Sequence, residues 1–293
     1  MSPESLSAHD GTGELGGRVV LVTGAASGFG RVLSRAFLRA GARVALTDAN
    51  ARGLENMASE LAPFAGRCAC IVADLRNLPE LVRLVEEAHN RLGGVDILVN
   101  NAGISPGYVR ADYVQNPVRF WEHSNAQTAA FFAVNSVAPA ILAARLAPAM
   151  VARSWGRIIN VTTSMGSMLR GGMAGYGNSK AATEALTAII AADLVETGVT
   201  ANVLIPGGAS NTPMVPENAG LERAALIQPE AMIAPALWLA SAAADQVTGR
   251  RFIAALWDQS LPTDHAAAFA GAPAGWPSLG EQTIYPAGYR QKS

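Results

Sequence analysis

The sequence has 293 residues, of which half are hydrophobic and 15% are charged. A chain of this length and composition can bury a sizeable core in one or two domains. Its formal net charge of −1 and its pI near 6.4 give no basic footprint, so we expect no nucleic-acid partner.

The first 17 residues carry Glu4, Asp10 and Glu14 and contain no apolar core of the signal-peptide type. We interpret 1–17 as a flexible N-terminal segment. The apolar stretches further along are interrupted by residues such as Asn135 and Arg145, or they fall short of the ~20 residues needed to cross a bilayer. We therefore expect a cytoplasmic protein without a membrane partner.

From residue 18 onward, short apolar runs alternate with helical patterns. The runs are continuous rather than alternating in polarity, which is typical of parallel strands covered on both faces. The predicted strands are 19–23, 44–47, 70–73, 96–100, 157–162 and 200–205, and the predicted helices are 28–40, 51–62, 77–92, 126–152, 174–197 and 229–242. This alternation predicts an α/β fold over residues 18–255: a single Rossmann-type, doubly wound parallel sheet with helices on both faces.

The only two cysteines, Cys68 and Cys70, lie in one of the apolar runs. On a strand they would point the same way about 7 Å apart, too far for an unstrained disulfide. His89 is the one histidine at all close in sequence, so we predict core packing and no metal site.

Residues 256–293 are rich in alanine, proline and glycine and contain Trp276, Tyr285 and Tyr289. We predict that they form a C-terminal arm packing on the body or on a neighbouring subunit. A disordered tail is the alternative.

A glycine-rich turn directly follows the first predicted strand and precedes the first helix. Glycines there allow a tight turn and a close backbone approach to a pyrophosphate at the helix N-terminus. No Gly-Lys-Ser/Thr follows, which argues against a nucleoside triphosphate. The expected cofactor contacts in this turn are Gly24, Ser27, Gly28, Phe29 and Gly30.

The spacing TGxxxGxG resembles the cofactor turn of the ordinary, non-extended short-chain dehydrogenase/reductase family. Further landmarks of that family extend the resemblance over about residues 18–253. It implies an oxidoreductase that transfers a hydride between a secondary alcohol or ketone and a nicotinamide cofactor. It also implies a homodimer or homotetramer.

Asp48 ends the second strand, where a carboxylate can accept hydrogen bonds from the ribose hydroxyls and repel a 2′-phosphate. Relatives that prefer NADP usually carry arginine at positions that are Ser27, Ala49 and Asn50 here. We therefore predict a preference for NAD over NADP.

The resemblance implies further cofactor contacts at the ends of later strands. Asp74 and Leu75 match the adenine side, and Pro206, Gly207 and Thr212 match the nicotinamide side. The NNAG motif supplies Asn101, Ala102 and Gly103; its first member, Asn100, either contacts the cofactor or braces neighbouring strands.

Tyr176 and Lys180 form a YxxxK motif whose i, i+4 spacing places both side chains on one helix face. A tyrosine has a pKa near 10, so it needs a neighbouring cation to act as a general base at neutral pH. Lys180 and the oxidised nicotinamide would supply that charge. Both residues are predicted to be catalytic and to contact the cofactor.

A hydroxyl before Tyr176 should hold the substrate oxygen. Ungapped alignment with the family favours Thr163, whereas residue type favours Ser164. We assign the role to Ser164 and keep Thr163 as the alternative. Asn135 matches the remaining catalytic asparagine, whose backbone in this family binds a water that links the lysine to solvent.

The segment between Asn100 and Asn135 is some eight residues longer than is usual in the family and rich in aromatic residues. It is interpreted as a substrate wall or lid, with a surface elaboration or subunit contact as the alternative. Arg170, in the loop before Tyr176, either meets a substrate carboxylate or is simply an exposed arginine.

The family's usual Gly-Gly near the C-terminus is missing after Thr248-Gly249, which puts the normal assembly contacts in doubt. Two other functions stay open. One is an NAD-dependent lyase or epimerase of the extended branch, and the other is a non-catalytic NAD-binding sensor.

Overall fold

A computed structural model describes residues 13–278. Eight strands form one sheet in the order β3-β2-β1-β4-β5-β6-β7-β8, and all neighbouring pairs are parallel except β7 and β8. The strands are β1 Val19–Thr23, β2 Arg43–Asp48, β3 Cys68–Val72, β4 Ile97–Asn100, β5 Gly156–Val161, β6 Val199–Ile205, β7 Arg250–Ile253 and β8 Gly271–Pro273.

Helices cover both faces of this sheet. They are α1 Gly28–Arg39, α2 Ala51–Glu60, α3 Leu78–Leu92, α4 Asn125–Phe132, α5 Ala138–Ala152, α6 Met165–Met168, α7 Tyr176–Asp193, α8 Ile233–Ala240 and α9 Thr263–Ala270. Alternate residues of the strands enter two apolar clusters, one on each face; Val20 and Val22 enter one cluster, and Val19 and Leu21 the other. The predicted Rossmann-type α/β fold is confirmed.

The strand order reverses between β1 and β4. The chain runs outward from β1 to β3, then returns to place β4 on the other side of β1. In sheets of this kind the crevice at such a switch point, outside the carboxyl ends of the strands, is where ligands bind. The glycine turn after β1 and the NNAG motif after β4 both lie there.

Helices α4 and α5 form one continuous helix through a π-helical turn at Ala133–Val137. This 28-residue helix is long and apolar enough to cross a membrane by length and composition alone. The prediction that no apolar segment reaches that length is therefore wrong. Half of its most apolar window is buried inside the protein.

Two strands at the end of the chain were not predicted. Strand β7 contains Arg250 and Arg251, which hide its strand character, and β8 has only three residues. The described part of the predicted arm supplies α9 and β8, and β8 pairs antiparallel with β7. Residues 1–12 of the N-terminal segment, and Tyr285 and Tyr289 of the arm, lie outside the described residues.

The opposite edge of the sheet is β3, which carries both cysteines as free thiols. Two arginines of α3 reach this edge: Arg91 donates to the Cys70 carbonyl at 2.7 Å, and Arg83 donates to the Val72 carbonyl at 2.6 Å. Polar side chains therefore satisfy backbone carbonyls that have no strand beyond them.

Candidate active site

The glycine turn is packed against the NNAG segment so closely that side chains would not fit. Gly24 has a φ of 65°, and a Cβ there would lie 2.8 Å from the Ala102 Cα. A Cβ on Gly30 would lie 2.0 Å from the Gly24 carbonyl oxygen. Asn101 Nδ2 donates to the carbonyls of Thr23 at 2.8 Å and Gly24 at 3.2 Å, which ties the two segments together.

Helix α1 begins at this turn with its N-terminus open to the crevice. Its N-cap, Ser27, makes no capping hydrogen bond through its side chain, and the first turn contains no acidic residue. The free N–H groups and the helix dipole together favour an anion. The turn therefore suits the pyrophosphate of a dinucleotide.

A cavity of about 410 Å³ opens beside the turn. Most of the predicted cofactor residues line it: Gly24, Ser27, Gly28, Phe29, Asp48, Asp74, Leu75, Asn101, Ala102, Gly103 and Thr212. Gly30, Tyr176, Lys180, Pro206 and Gly207 lie outside its lining. The other lining residues, to which the sequence gave no role as cofactor contacts, are Thr47, Ala49, Ala73, Arg76, Ile104, Tyr108, Val134, Pro213 and Met214.

Asp48 faces this cavity from the end of β2. Its two carboxylate oxygens accept hydrogen bonds from the backbone of Ala26 at 3.0 Å and of Asn50 at 2.9 Å. The one arginine in the lining, Arg76, binds both oxygens of Asp74, and this contact lowers the pKa of that carboxyl. Its positive charge is thus already paired.

The two asparagines of the NNAG motif differ in their surroundings. Asn100 is buried; its Nδ2 donates to Asn160 Oδ1 at 2.8 Å, which links β4 to β5. Asn101 lines the cavity and fastens the glycine turn. Of the two roles left open for Asn100, the contacts show strand bracing.

Asn135 sits fully buried in the π-helical turn. Its side chain accepts a hydrogen bond from the Ile104 N–H at 2.9 Å and donates to the Ile104 carbonyl at 3.0 Å. A Cβ on Gly103 would lie 3.2 Å from both Asn135 Oδ1 and Lys180 Nζ. The predicted Asn135 and Lys180 are therefore brought together against the NNAG segment.

Tyr176 begins α7 and is 8% exposed. Burial raises the pKa of Tyr176 to about 12, while a hydrogen bond with the Thr163 side chain acts in the opposite direction. Lys180, one turn later, donates from Nζ to the Val161 carbonyl at 2.8 Å, and burial lowers the pKa of this lysine to about 8. The phenol of Tyr176, the amine of Lys180 and the hydroxyl of Thr163 thus lie together at the end of β5, and the pKa values of the phenol and the amine are both shifted.

The two candidate hydroxyls face different ways. Thr163 is buried and bonds with the phenol of Tyr176. Ser164 is the N-cap of α6: its Oγ accepts from the Ser167 N–H at 3.3 Å and lies 3.1 Å from Ser167 Oγ. The geometry pairs Thr163, not Ser164, with the tyrosine.

Pro206 and Gly207 follow β6 and pack against the end of β7. Gly207 has a φ of 110°, and a Cβ there would lie 2.9 Å from Ile253 Cγ2. Thr212, further along this loop, touches the glycine turn, since a Cβ on Gly28 would lie 3.3 Å from the Thr212 Cβ. The loop after β6 thus closes one side of the crevice.

The extra segment between β4 and α4 spans the entrance. The Tyr113 hydroxyl donates to the Met214 carbonyl at 3.3 Å, and Gln115 donates to the Asn218 carbonyl, both in the loop after β6. On its other side, a Cβ on Gly172 would lie 2.6 Å from Pro117 Cβ. These contacts support the wall-or-lid interpretation; no sequence signal pointed to the partners of Tyr113 and Gln115.

Comparisons with known proteins agree with this geometry. A family model described as short chain dehydrogenase matches residues 18–221. The 1-deoxy-11-beta-hydroxypentalenate dehydrogenase of Streptomyces exfoliatus is 37% identical over 200 residues, which are 68% of this chain and 69% of that protein. Oxidoreductase UcpA of Escherichia coli (strain K12) is 33% identical over 203 residues, 69% of this chain and 73% of that protein.

Solved structures show the same likeness. A putative NAD(P) dependent gluconate 5-dehydrogenase from Beutenbergia cavernae, with bound NADP at low occupancy, superposes with a TM-score of 0.70 at 32% identity and covers 86% of this chain and 97% of its own. The 3-ketoacyl-(acyl-carrier-protein) reductase from Brucella melitensis complexed with NADH superposes with a TM-score of 0.69 at 27% identity and covers 79% of this chain and 94% of its own.

Proposed function

Because this chain belongs to the short-chain dehydrogenase family, we propose that it is an NAD-preferring dehydrogenase/reductase of secondary alcohols and ketones. Members of this family are oxidoreductases that act on CH–OH and C=O groups, and this chain is one of them. The observation that carries the finer proposal is the buried Tyr176 phenol, bonded to Thr163 and one helical turn from Lys180.

The chain's own residues divide the proton transfer among them. Tyr176 removes the hydroxyl proton in oxidation and returns one to the carbonyl oxygen in reduction. Thr163 donates a hydrogen bond to the same substrate oxygen and holds it beside the phenol. Lys180 favours the phenolate through its positive charge, and Asn135 positions the backbone around it.

The cavity at the switch point fits a nicotinamide dinucleotide, since glycines shape it and the open helix N-terminus faces it. A dinucleotide bound there supplies the hydride acceptor for oxidation and the hydride donor for reduction. Gly24, Ser27, Gly28 and Gly103 would hold it, together with Thr212 on the opposite side.

Preference for NAD over NADP follows from the charges around the ribose end. The Asp48 carboxylate would accept hydrogen bonds from free ribose hydroxyls and repel a 2′-phosphate. Arg76, the cation that could attract such a phosphate, is held by Asp74. The related structures include both NADP and NADH complexes, so the local charges carry this part of the proposal.

The test is a panel of secondary alcohols with NAD and of ketones with NADH, each repeated with the phosphorylated cofactor. We expect stoichiometric cofactor oxidation or reduction, faster with NAD and NADH. A lyase or epimerase would convert substrate with no net change of cofactor, and a sensor would bind NAD with no conversion. Either result would overturn the proposal.

A further inference from the structure

A second cavity lies outside the cofactor crevice, between the extra segment and the loop that leads to Tyr176. Its volume is about 360 Å³. One wall is built by Arg119, Phe120 and Trp121, and the other by Leu169, Arg170 and Met173. Neither the cofactor nor the proton transfer described above uses this space.

Positive charge dominates the cavity. None of the described residues that line it is acidic, whereas two of them are arginines. In residues 13–278 no carboxylate lies within ion-pair distance of Arg170. Glu122, the acid nearest in sequence to Arg119, already binds Arg110 at 2.8 Å and accepts from the Arg119 backbone N–H at 2.6 Å. The Arg170 guanidinium is thus left to bind an anion from outside, and Arg119, which also interacts with the charge of Glu122, adds positive charge to the same cavity.

The same walls expose large apolar side chains. Phe120 is 72% exposed, Trp121 69% and Leu169 77%. Phe120 and Trp121 stack edge to face with ring centroids 4.9 Å apart, forming an apolar shelf beside the arginines. Grouped exposed apolar side chains are a mark of a binding surface.

Direct contacts join this cavity to the catalytic tyrosine. Arg170 Nη2 lies 3.5 Å from the Met173 sulfur. Met173 is buried and packs in one cluster with Phe131 and Tyr176. One layer of side chain therefore separates the guanidinium from the residue at which the proton transfer is proposed.

We propose that this cavity binds an apolar, carboxylate-bearing part of the substrate, so that the enzyme acts on hydroxy or keto acids with an apolar chain. This inference rests on the proposed dehydrogenase function. A carboxylate matches the planar fork of an arginine and forms strong, charge-assisted hydrogen bonds with it. The shelf of Phe120, Trp121 and Leu169 would cover the apolar chain next to it.

The experiment compares octanoate with octan-1-ol, two probes that differ in the charged end group, by calorimetric titration of the full chain. We expect octanoate to bind at least about tenfold more tightly than octan-1-ol. Arg170→Gln and Arg119→Gln should each weaken octanoate binding by about tenfold and leave the affinity for octan-1-ol unchanged. Arg145→Gln, an exposed arginine of α5, is the control and should change neither.

Equal binding of the two probes, or unchanged octanoate binding in the Arg119→Gln/Arg170→Gln double variant, would overturn the inference. Both variants alter exposed residues, and a thermal melt checks that they fold. The titration needs no turnover. A protein that binds octanoate selectively but never turns over NAD would refute the proposed function alone, and an active enzyme without this selectivity would refute the inference alone.

Discussion

The cofactor crevice and the substrate entrance are held together in different ways. In the crevice, backbone packs on backbone: Gly24 and Gly30 leave no room for a Cβ, and the Thr23 hydroxyl accepts from the N–H groups of Asn101 and Ala102. At the entrance, exposed side chains of one loop reach the backbone of another, as the Tyr113 hydroxyl does to the Met214 carbonyl.

This difference explains how one fold combines a constant cofactor with a variable substrate. Close backbone packing leaves no room for added side-chain atoms, so we expect the crevice of this chain to tolerate few substitutions. Contacts made by single side chains can be exchanged without disturbing the sheet, so an entrance of this kind can be adapted to a new substrate. Five experiments test the comparison, from the largest expected effect to the smallest.

Tyr176→Phe should lower turnover by roughly 10³-fold or more, since it removes the proton-transferring hydroxyl while keeping the ring. The affinity for NAD, measured by titration, should stay close to the parent value because Tyr176 lies outside the lining of the cofactor cavity. Substantial turnover in this variant would contradict the mechanism. Loss of NAD binding would instead show that the two regions are not separable.

The rate should depend on pH differently in the two directions. Burial raises the pKa of Tyr176 to about 12, so the phenol is protonated at neutral pH. Alcohol oxidation needs the ionised form, and its kcat/KM should rise by up to about tenfold per pH unit between roughly pH 6 and 8. Above about pH 8 the rise should slacken, because Lys180 then loses the charge that supports the phenolate.

Ketone reduction uses the protonated phenol, so its kcat/KM should not rise over the same range. Steady-state profiles in both directions provide the measurement. In Lys180→Met variants that retain activity, the rising part of the oxidation profile should move to higher pH. Parallel profiles for oxidation and reduction would rule out Tyr176 as the group that titrates.

Thr163→Val and Ser164→Ala separate two adjacent hydroxyls. Thr163→Val should lower kcat/KM by about 10²-fold, as loss of a donor to the reacting oxygen does elsewhere. Ser164→Ala should change kcat/KM little and instead destabilise the fold by about 1 kcal/mol, since it removes the N-cap of α6. The reverse pattern would restore the role to Ser164.

Gly30→Ala tests the backbone packing of the crevice. The added methyl would lie 2.0 Å from the Gly24 carbonyl, so the turn must shift. We expect NAD affinity to fall by about tenfold or more and stability to fall by about 1–3 kcal/mol. Gly66→Ala is the matched control, because nothing lies within 4 Å of a Cβ there. Equal effects at both positions would contradict the argument from close packing.

Asp48→Ala combined with Ala49→Arg should shift cofactor preference toward NADP by about tenfold, because a repelling charge is replaced by an attracting one. The ratio of kcat/KM for the two cofactors is the measurement. Glu86→Ala, an exposed acid on α3, should leave that ratio unchanged. An unaltered ratio in the double variant would refute the role of Asp48.

The sequence predicted the crevice better than the entrance. Continuous apolar runs gave β1 to β6 to within about two residues at each end. The glycines and the NNAG motif are local patterns, and their positions after β1 and β4 bring them together at the switch point. Strand β7 was not predicted because a charged residue such as Arg251 is typical of an exposed segment. In the structure the Arg251 Nε lies 2.8 Å from the carboxylate of Glu184, a fully buried residue of α7.

The direction in which a hydroxyl points could not be predicted. Thr163 and Ser164 are neighbours with similar chemistry, and they are distinguished only by the start of α6, whose cap occupies Ser164. The contacts at the entrance could not be predicted from the sequence for a related reason. Tyr113 and Met214 are 101 residues apart, and no spacing rule connects an aromatic residue in a loop with a carbonyl at that distance along the chain.

The two protected borders of the sheet also bear on how copies of the chain can meet. On one border, arginines of α3 occupy the outward carbonyls of β3; on the other, β8 covers β7 with three residues, of which Pro273 has no N–H to offer. A row of unpaired strand groups is what allows two sheets to merge into one and misfolded chains to stack. In residues 13–278 the Cys70 and Val72 carbonyls of β3 are already bonded and β8 offers only three residues, which favours an assembly built from helix faces and makes the sheet a poor template for aggregation.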